Sequence, residues 1–225
     1  MVIYAINGSP RKDFSTAQLL QQFAKGAADC GGDVEVRFIN LYEYNFSGCR
    51  ECFACKLKDG KSYGWCAWPD DIKQLLKDVA YADGIAFGSP VFFYDLSAQM
   101  KAFLERLMFP FTAFKKDAPR VIAPKQIPTL FIHSMNVPVE RTLTSPCKDI
   151  LGNTHFWTKH VFGHQPQVLY AYNTWQYTDY DKYVADIWDL EDKKNWKETQ
   201  FPIDLQNAYD AGKQMVEQLR GAKAE

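Results

Sequence analysis

No apolar run in this 225-residue chain approaches the roughly 20 residues that a membrane-spanning helix needs. There is no polybasic run and no basic stripe, and the formal net charge is -1, so a nucleic-acid or anionic-membrane surface is not expected. Neither G-x-G-x-x-G nor G-x-x-x-x-G-K-[ST] occurs, which removes the usual support for dinucleotide-fingerprint and P-loop readings. No Ser-His-Asp order or paired-carboxylate motif stands out, so hydrolytic chemistry has no candidate residues. Internal repeats and low-complexity tracts are missing as well. The opening segment, Met1 to Asn7, is apolar but lacks a basic flank and breaks at Gly8, too early for a signal peptide. It reads as a strand, and a cytoplasmic setting, in which thiols stay reduced, is the expectation.

What the chain does have is aromatic residues and a local concentration of cysteine. Phe, Trp and Tyr make up 15% of the residues, a bias that favours a stacking ligand or a large interface. Four of the six cysteines fall between Ser47 and Cys66. Cys49, Cys52 and Cys55 follow C-x2-C-x2-C spacing, and Cys66 comes after ten further residues that include Gly60 and Gly64. In a reducing compartment such spacing points to metal or redox chemistry and away from disulfides. Four thiolates can hold an iron-sulfur cluster. Zinc, a redox thiol pair and a metal-free loop are the other readings, although zinc sites usually draw on two separated C-x2-C knuckles. Cys30 and Cys147 read as structural.

Along the chain, apolar strands alternate with helical stripes. Strands are expected at Val2 to Asn7, Asp33 to Ile39, Gly84 to Gly88, Ile127 to His133 and Gln167 to Tyr172. Between them, Leu19, Leu20, Phe23 and Ala27 share one helical face. Ile72, Leu75, Leu76 and Val79 form a second, in a helix opened by Asp70-Asp71. Leu96, Met100, Phe103, Leu104 and Leu107 give a third. Ser145-Pro146 suits a helix start, with Ser as cap and Pro in the first turn of a helix to Gly163. Leu205, Ala208, Gly212, Met215 and Val216 mark the last helix. Five alternations predict a parallel α/β sheet covered on both faces, with its ligand beyond the carboxyl ends of the strands. A Cys-rich loop at 41–69 and an aromatic-rich insertion at 174–200 interrupt the pattern; the insertion is read as a cover for the core or an interface.

Two strand ends carry the same Gly-Ser-Pro turn. The first, Gly8 to Thr16, offers the hydroxyls of Ser9, Ser15 and Thr16, the cations Arg11 and Lys12, and helix-start amides: the makings of an anion site. The second, Gly88 to Tyr94, offers amides and aromatic rings for a flat heterocycle. A phosphate subsite beside a flat aromatic subsite describes a mononucleotide pocket, and FMN fits it. His155, His160 and His164, which lack a fourth partner, read as surface or interface residues.

Gly8-Ser9-Pro10-Arg11-Lys12, the cysteine run with Cys66 before Asp70-Asp71, Ala82-Asp83-Gly84 before Gly88-Ser89-Pro90-Val91, and Gln99-Met100-Lys101-Ala102-Phe103 together resemble the flavodoxin-like NAD(P)H-dependent FMN reductases. That family includes the iron-sulfur flavoproteins. The resemblance implies a single flavodoxin-like domain over 1–225. It would be a three-layer sandwich whose five-stranded parallel sheet runs in the order 2-1-3-4-5. It further implies non-covalent FMN, its phosphate held by Ser9, Arg11, Ser15 and Thr16. Pro90, Val91, Phe92 and Phe93 would line the isoalloxazine, and the loop containing Ser134 and Asn136 would take its other side. Cys49, Cys52, Cys55 and Cys66 become candidate ligands of a four-iron cluster, or a cluster-free cover over the flavin. The implied activity passes electrons from NAD(P)H to a quinone, a nitro or azo compound, or free flavin. The alternatives are an iron-sulfur flavoprotein fed by ferredoxin and a flavodoxin-type carrier. The flavin carries the chemistry, so no catalytic side chain is expected. A homodimer or homotetramer is implied.

Overall fold

The computed structural model describes residues 1–116 and 119–224. Strands β1 (Val2–Asn7), β2 (Glu35–Asn40), β3 (Gly84–Phe92), β5 (Thr129–Ser134) and β6 (Gln167–Ala171) form one parallel sheet in the order β2-β1-β3-β5-β6. A short strand, β4 (Asp95–Leu96), folds back antiparallel onto the end of β3. Counting only parallel strands, the order is the expected 2-1-3-4-5.

Helices α1 (Ser15–Ala28) and α6 (Leu190–Ala224) cover one face of the sheet; α2 (Lys73–Ala80), α3 (Ala98–Met108) and α5 (Cys147–Phe162) cover the other. Alternate residues of the central strands feed two cores. Ile3, Ala5, Ala86, Leu130 and Ile132 point to the α1/α6 side, while Tyr4, Ile6, Ile85, Phe87 and Phe131 point to the α2/α3/α5 side. That double burial explains why these strands read as continuous apolar runs. Among the described residues, no helix is long and apolar enough to cross a membrane.

Several boundaries differ from the sequence reading, each for a local reason. β3 runs on through Ser89 and Pro90 to Phe92. Pro90 is tolerated there because the Gly88 carbonyl, which accepts from Gly8 N at 2.8 Å, faces β1. Two residues on, the proline faces the same way, where β1 has already ended at Asn7. Leu96 belongs to β4, and Ser97 caps α3 by accepting from Met100 N at 3.3 Å. The Asp70-Asp71 pair does not cap α2, which begins at Lys73. Asp70 instead holds Arg106, and Asp71 accepts from Asn45 N at 2.7 Å. At α5, Pro146 occupies the cap position and Ser145 Oγ accepts from Cys147 N at 3.3 Å, one residue from the expected frame. A five-residue helix, α4 (Val139–Leu143), precedes it. The 174–200 insertion is two things. Residues 174–189 are irregular around a short turn at Tyr180–Lys182, and from Leu190 the chain is already α6. Pro202 lies inside that helix and hides the continuity from a sequence reading.

Candidate functional site

β1 leads to β2 on one side while β3 lies on the other, so the sheet's switch point falls between the carboxyl ends of β1 and β3. Both Gly-Ser-Pro turns sit there and are tied together. Gly8 N donates to Gly88 O at 2.8 Å, Ser97 Oγ to Gly8 O at 2.6 Å, and Ser97 N to Ser89 Oγ at 2.9 Å. The first loop is shaped from within, with Ser9 N donating to Asn7 Oδ1 at 3.0 Å and Arg11 N to Ser9 Oγ at 3.1 Å. α1 then starts at Ser15 with Phe14 extended at its cap position and no side-chain hydrogen bond from it. The first-turn amides of α1 are therefore left for an outside acceptor, and an anion such as the FMN phosphate meets that need.

The expected contact residues divide by role. Ser9, Thr16 and Ser134 are buried, and the hydroxyls of Thr16 and Ser134 bond each other at 2.6 Å, stitching α1 to the end of β5. Ser15 is partly open and Arg11 is exposed, its guanidinium 3.8 Å above the Phe14 ring. Pro90 and Val91 are half-buried along β3, and Phe92 is exposed. Phe93 is fully exposed at the tip of the β3–β4 hairpin. Asn136 follows β5 and donates to the Gln176 side chain, while Arg11 donates to the Gln176 carbonyl. Gln176 therefore joins the loop after β1 to the loop after β5. Gln176 is one of several insertion residues at this edge, with Trp175 and Thr178 beside Phe14 and Ser15, and the sequence alone did not single it out.

Lys193, in the first turn of α6, supports the same edge from beneath. It is 1% exposed and donates to Asn136 O at 2.7 Å, Asn173 Oδ1 at 3.0 Å and Thr174 O at 3.5 Å. Burial pushes its ammonium down to about 8, against the pull of Asp192. Nothing in the local pattern marks it, because it lies in a charged run that reads as a solvated helix face.

On the α2/α3 side, Cys49, Cys52, Cys55 and Cys66 line one small cavity together with Phe53, Trp68, Arg106 and Phe109. The ten-residue excursion is thus closed, and Cys66 joins the other three. All four are free thiols; Cys55 is buried and Cys49 and Cys52 are exposed. Burial pushes the Cys55 thiol up, Lys56 opposes this, and Cys49, Cys66 and Cys52 add to it. Glu51 and Phe53, on either side of Cys52, take positive φ of 50° and 52°. Lys56 locks the loop by donating to Phe109 O at 2.6 Å and Pro110 O at 2.9 Å. Among the described residues, no group of three or more His, Cys, Asp or Glu side chains is set to hold a metal ion. The thiols ring a shared space instead, and four cysteines are a donor set that suits a cluster.

One histidine expectation is corrected. His155 is buried, not a surface residue: its Nε2 lies 2.9 Å from Nε2 of His133, itself fully buried on β5. Sequence spacing could not pair a strand residue with a helix residue across the layer.

A family model described as NADPH-dependent FMN reductase matches residues 1–123. An iron-sulfur flavoprotein of Methanocaldococcus jannaschii is 37% identical over 106 residues, which is 47% of this chain and 51% of the relative. Another, from Archaeoglobus fulgidus, is 32% identical over 124 residues, 55% of this chain and 57% of the relative. The chain spans about half the length of these curated relatives. An NAD(P)H:quinone oxidoreductase from Methanothermobacter marburgensis shares the fold with a TM-score of 0.67 at 15% identity, covering 95% of this chain and 98% of the other. An azoreductase from Bacillus anthracis does so with a TM-score of 0.66 at 11% identity, over 95% and 98% of the two chains. The span matched by the family model holds the loop after β1, the β3–β4 hairpin and the whole cysteine cavity. On that match, the chain belongs to the NADPH-dependent FMN reductase family.

Proposed function

We propose that this chain is an FMN-dependent oxidoreductase, reduced by NAD(P)H and delivering electrons to a small acceptor such as a quinone or an azo or nitro compound. The observation that carries the reading is the uncapped start of α1, set against buried Ser9 and Thr16 at the switch point of the sheet. FMN fits these residues, and when bound it supplies a flat ring able to take up and release electrons without an acid or base side chain. The chain's own work is binding and placement. The α1 amides, Ser15 and Arg11 hold the phosphate. Pro90 to Phe93 and the Ser134–Asn136 loop take the ring, and Lys193 and Gln176 fix the position of Asn136. The test is to add FMN to the purified protein and then NADPH without oxygen. A yellow complex bleached by NADPH is the expected result. A protein that stays colourless with FMN sinks the reading, and a flavin reduced only by a reduced protein carrier replaces NAD(P)H as the donor.

A second reading adds a four-iron cluster on Cys49, Cys52, Cys55 and Cys66, fed by a ferredoxin-type carrier. The convergence of Cys66 with the C-x2-C-x2-C run on one cavity favours it. A cluster there would supply single-electron relay towards the flavin. Iron and sulfide of about four each per chain after anaerobic purification would support it; an iron-free protein after anaerobic reconstitution would remove it. We infer a homodimer or homotetramer for the assembled protein, to be checked by light scattering.

A further inference from the structure

We propose that Arg106 is the positioning residue of the cysteine loop: it presents Cys66 as the fourth ligand of the cluster and makes that cluster easier to reduce. The inference rests on the cluster reading of the loop.

Arg106 lies on α3 and is 2% exposed, among the largest fully enclosed side chains of the protein. Its Nε donates to Cys66 Sγ at 3.3 Å. Nη1 donates to Ser47 O at 3.2 Å and to Asp70, and Nη2 donates to Asp70 Oδ1 at 2.9 Å and Trp68 O at 3.5 Å. One rigid guanidinium therefore ties the residue two before Cys49 to the segment from Cys66 to Asp70. Both ends of the excursion are held on a single side chain, and this is what brings Cys66 to the cavity despite the ten-residue gap. A lysine could not do the same, because its single ammonium lacks the planar fork that serves a carboxylate and a sulfur at once.

The Asp70 carboxylate takes the two outer nitrogens, so Nε–H is the donor left for the sulfur. A neutral thiol is a weak acceptor for a buried guanidinium N–H. A thiolate bound to iron carries the negative charge that this donor suits. Hydrogen bonds to ligand sulfurs, and positive charge beside them, stabilise the more negative reduced state of a cluster and so raise its potential. Arg106 and Asp70 together are neutral, which makes the sign of the effect separable. Removing the arginine strips away both the hydrogen bond and the cation. Neutralising Asp70 leaves the hydrogen bond and unmasks the cation.

The experiment compares the full-length wild type, Arg106→Gln and Asp70→Asn, each reconstituted anaerobically with iron and sulfide. The readouts are iron content, the rate of iron loss to a chelator, and the cluster midpoint by potentiometric titration with dithionite. Arg106→Gln is expected to release iron at least tenfold faster. Its cluster should also be at least tenfold harder to reduce, a drop of about 59 mV for one electron. Asp70→Asn is expected to move the midpoint upwards. A purely structural role would cost both variants iron but would not shift their midpoints in opposite directions. Loaded variants with unchanged midpoints, or with shifts of the same sign, overturn the proposal. Should Arg106→Gln not fold, Asp70→Asn decides alone: a midpoint that fails to rise overturns it. A wild type that takes up no iron overturns the cluster reading itself, which is distinguishable from a loaded wild type whose variants do not respond.

Discussion

Lys193 brings an ammonium to a place with almost no water, and its surroundings explain why it stays there. Three backbone or amide oxygens converge on it, all in the loops that follow β5 and β6 at the candidate flavin edge. Removing the donor leaves the Asn136 and Thr174 carbonyls without that partner. Lys193→Met should therefore cost about 2 kcal/mol of stability, the scale of lost hydrogen bonds to a buried charge. It should also weaken FMN binding, because Asn136 is released from below. Urea unfolding and FMN fluorescence titration check the two effects separately. Full FMN affinity in a destabilised variant would mean that the Asn136 loop does not serve the ring. Neither Lys193 nor Gln176 was legible in the sequence, since both act by long-range bonds to loops far away in the chain. Ser9, Ser15 and Thr16 could be picked out, because a strand–turn–helix start advertises itself through local composition. What could not be read was that Thr16 is committed to Ser134.

At the scale of elements, the β3–β4 hairpin and the α1–α6 pair each make a prediction. Phe92 and Asp95 are paired, leaving Phe93 and Tyr94 as a two-residue turn with φ of 50° and 67°. That turn geometry normally selects Asn-Gly, and bulky residues there are strained. Replacing the pair, Phe93→Asn with Tyr94→Gly, should stabilise the protein by about 1–2 kcal/mol through relief of the left-handed strain. Turnover with a bulky acceptor should fall, if the rings border the open face of the flavin. A melting-temperature rise with unchanged turnover would confine the aromatic pair to another task. The hairpin was missed in the sequence because none of the usual turn residues marks it. The α1–α6 contact is set by two glycines. A Cβ on Gly212 would lie 2.1 Å from Phe23 O, and one on Gly26 would lie 1.9 Å from Tyr209 O. The helices thus meet backbone to backbone, and Gly212→Ala must push them apart. A loss of about 3 kcal/mol is expected in urea unfolding, at the upper end of ordinary overpacking because rigid backbone is what must yield. Wild-type stability would mean that the helices do not approach so closely.

For the whole molecule, the parallel order and the two-sided core were legible because apolar strands and helical stripes repeat in register with their periods. Contacts between layers were not, and the His133–His155 pair is the one with a consequence for the entire fold. The two Nε2 atoms are 2.9 Å apart, so one ring donates and the other accepts. His133 Nδ1 is buried without a partner, and an orphaned acceptor costs less than an orphaned N–H. The arrangement therefore favours a proton on Nε2 of His133, donated to His155. Burial holds both rings neutral, pushing His133 down to about 3, with His155 adding to the effect, and His155 down to about 4. In the unfolded chain both return to about 6.5. Below that pH the unfolded state takes up protons that the folded state refuses, so stability is complete above about 6.5 and declines as the pH falls towards the folded values. The slope is up to about 1.4 kcal/mol per pH unit for each histidine. Between pH 6.5 and 5, most carboxylates have yet to titrate, so the histidine share of the slope can be read directly. His155→Gln keeps an acceptor for His133 but removes one titrating ring, and its urea midpoint should change with pH less steeply than that of the wild type. Parallel slopes for the two proteins would mean that His155 gains protons equally in both states, and His155 would then contribute nothing to acid sensitivity.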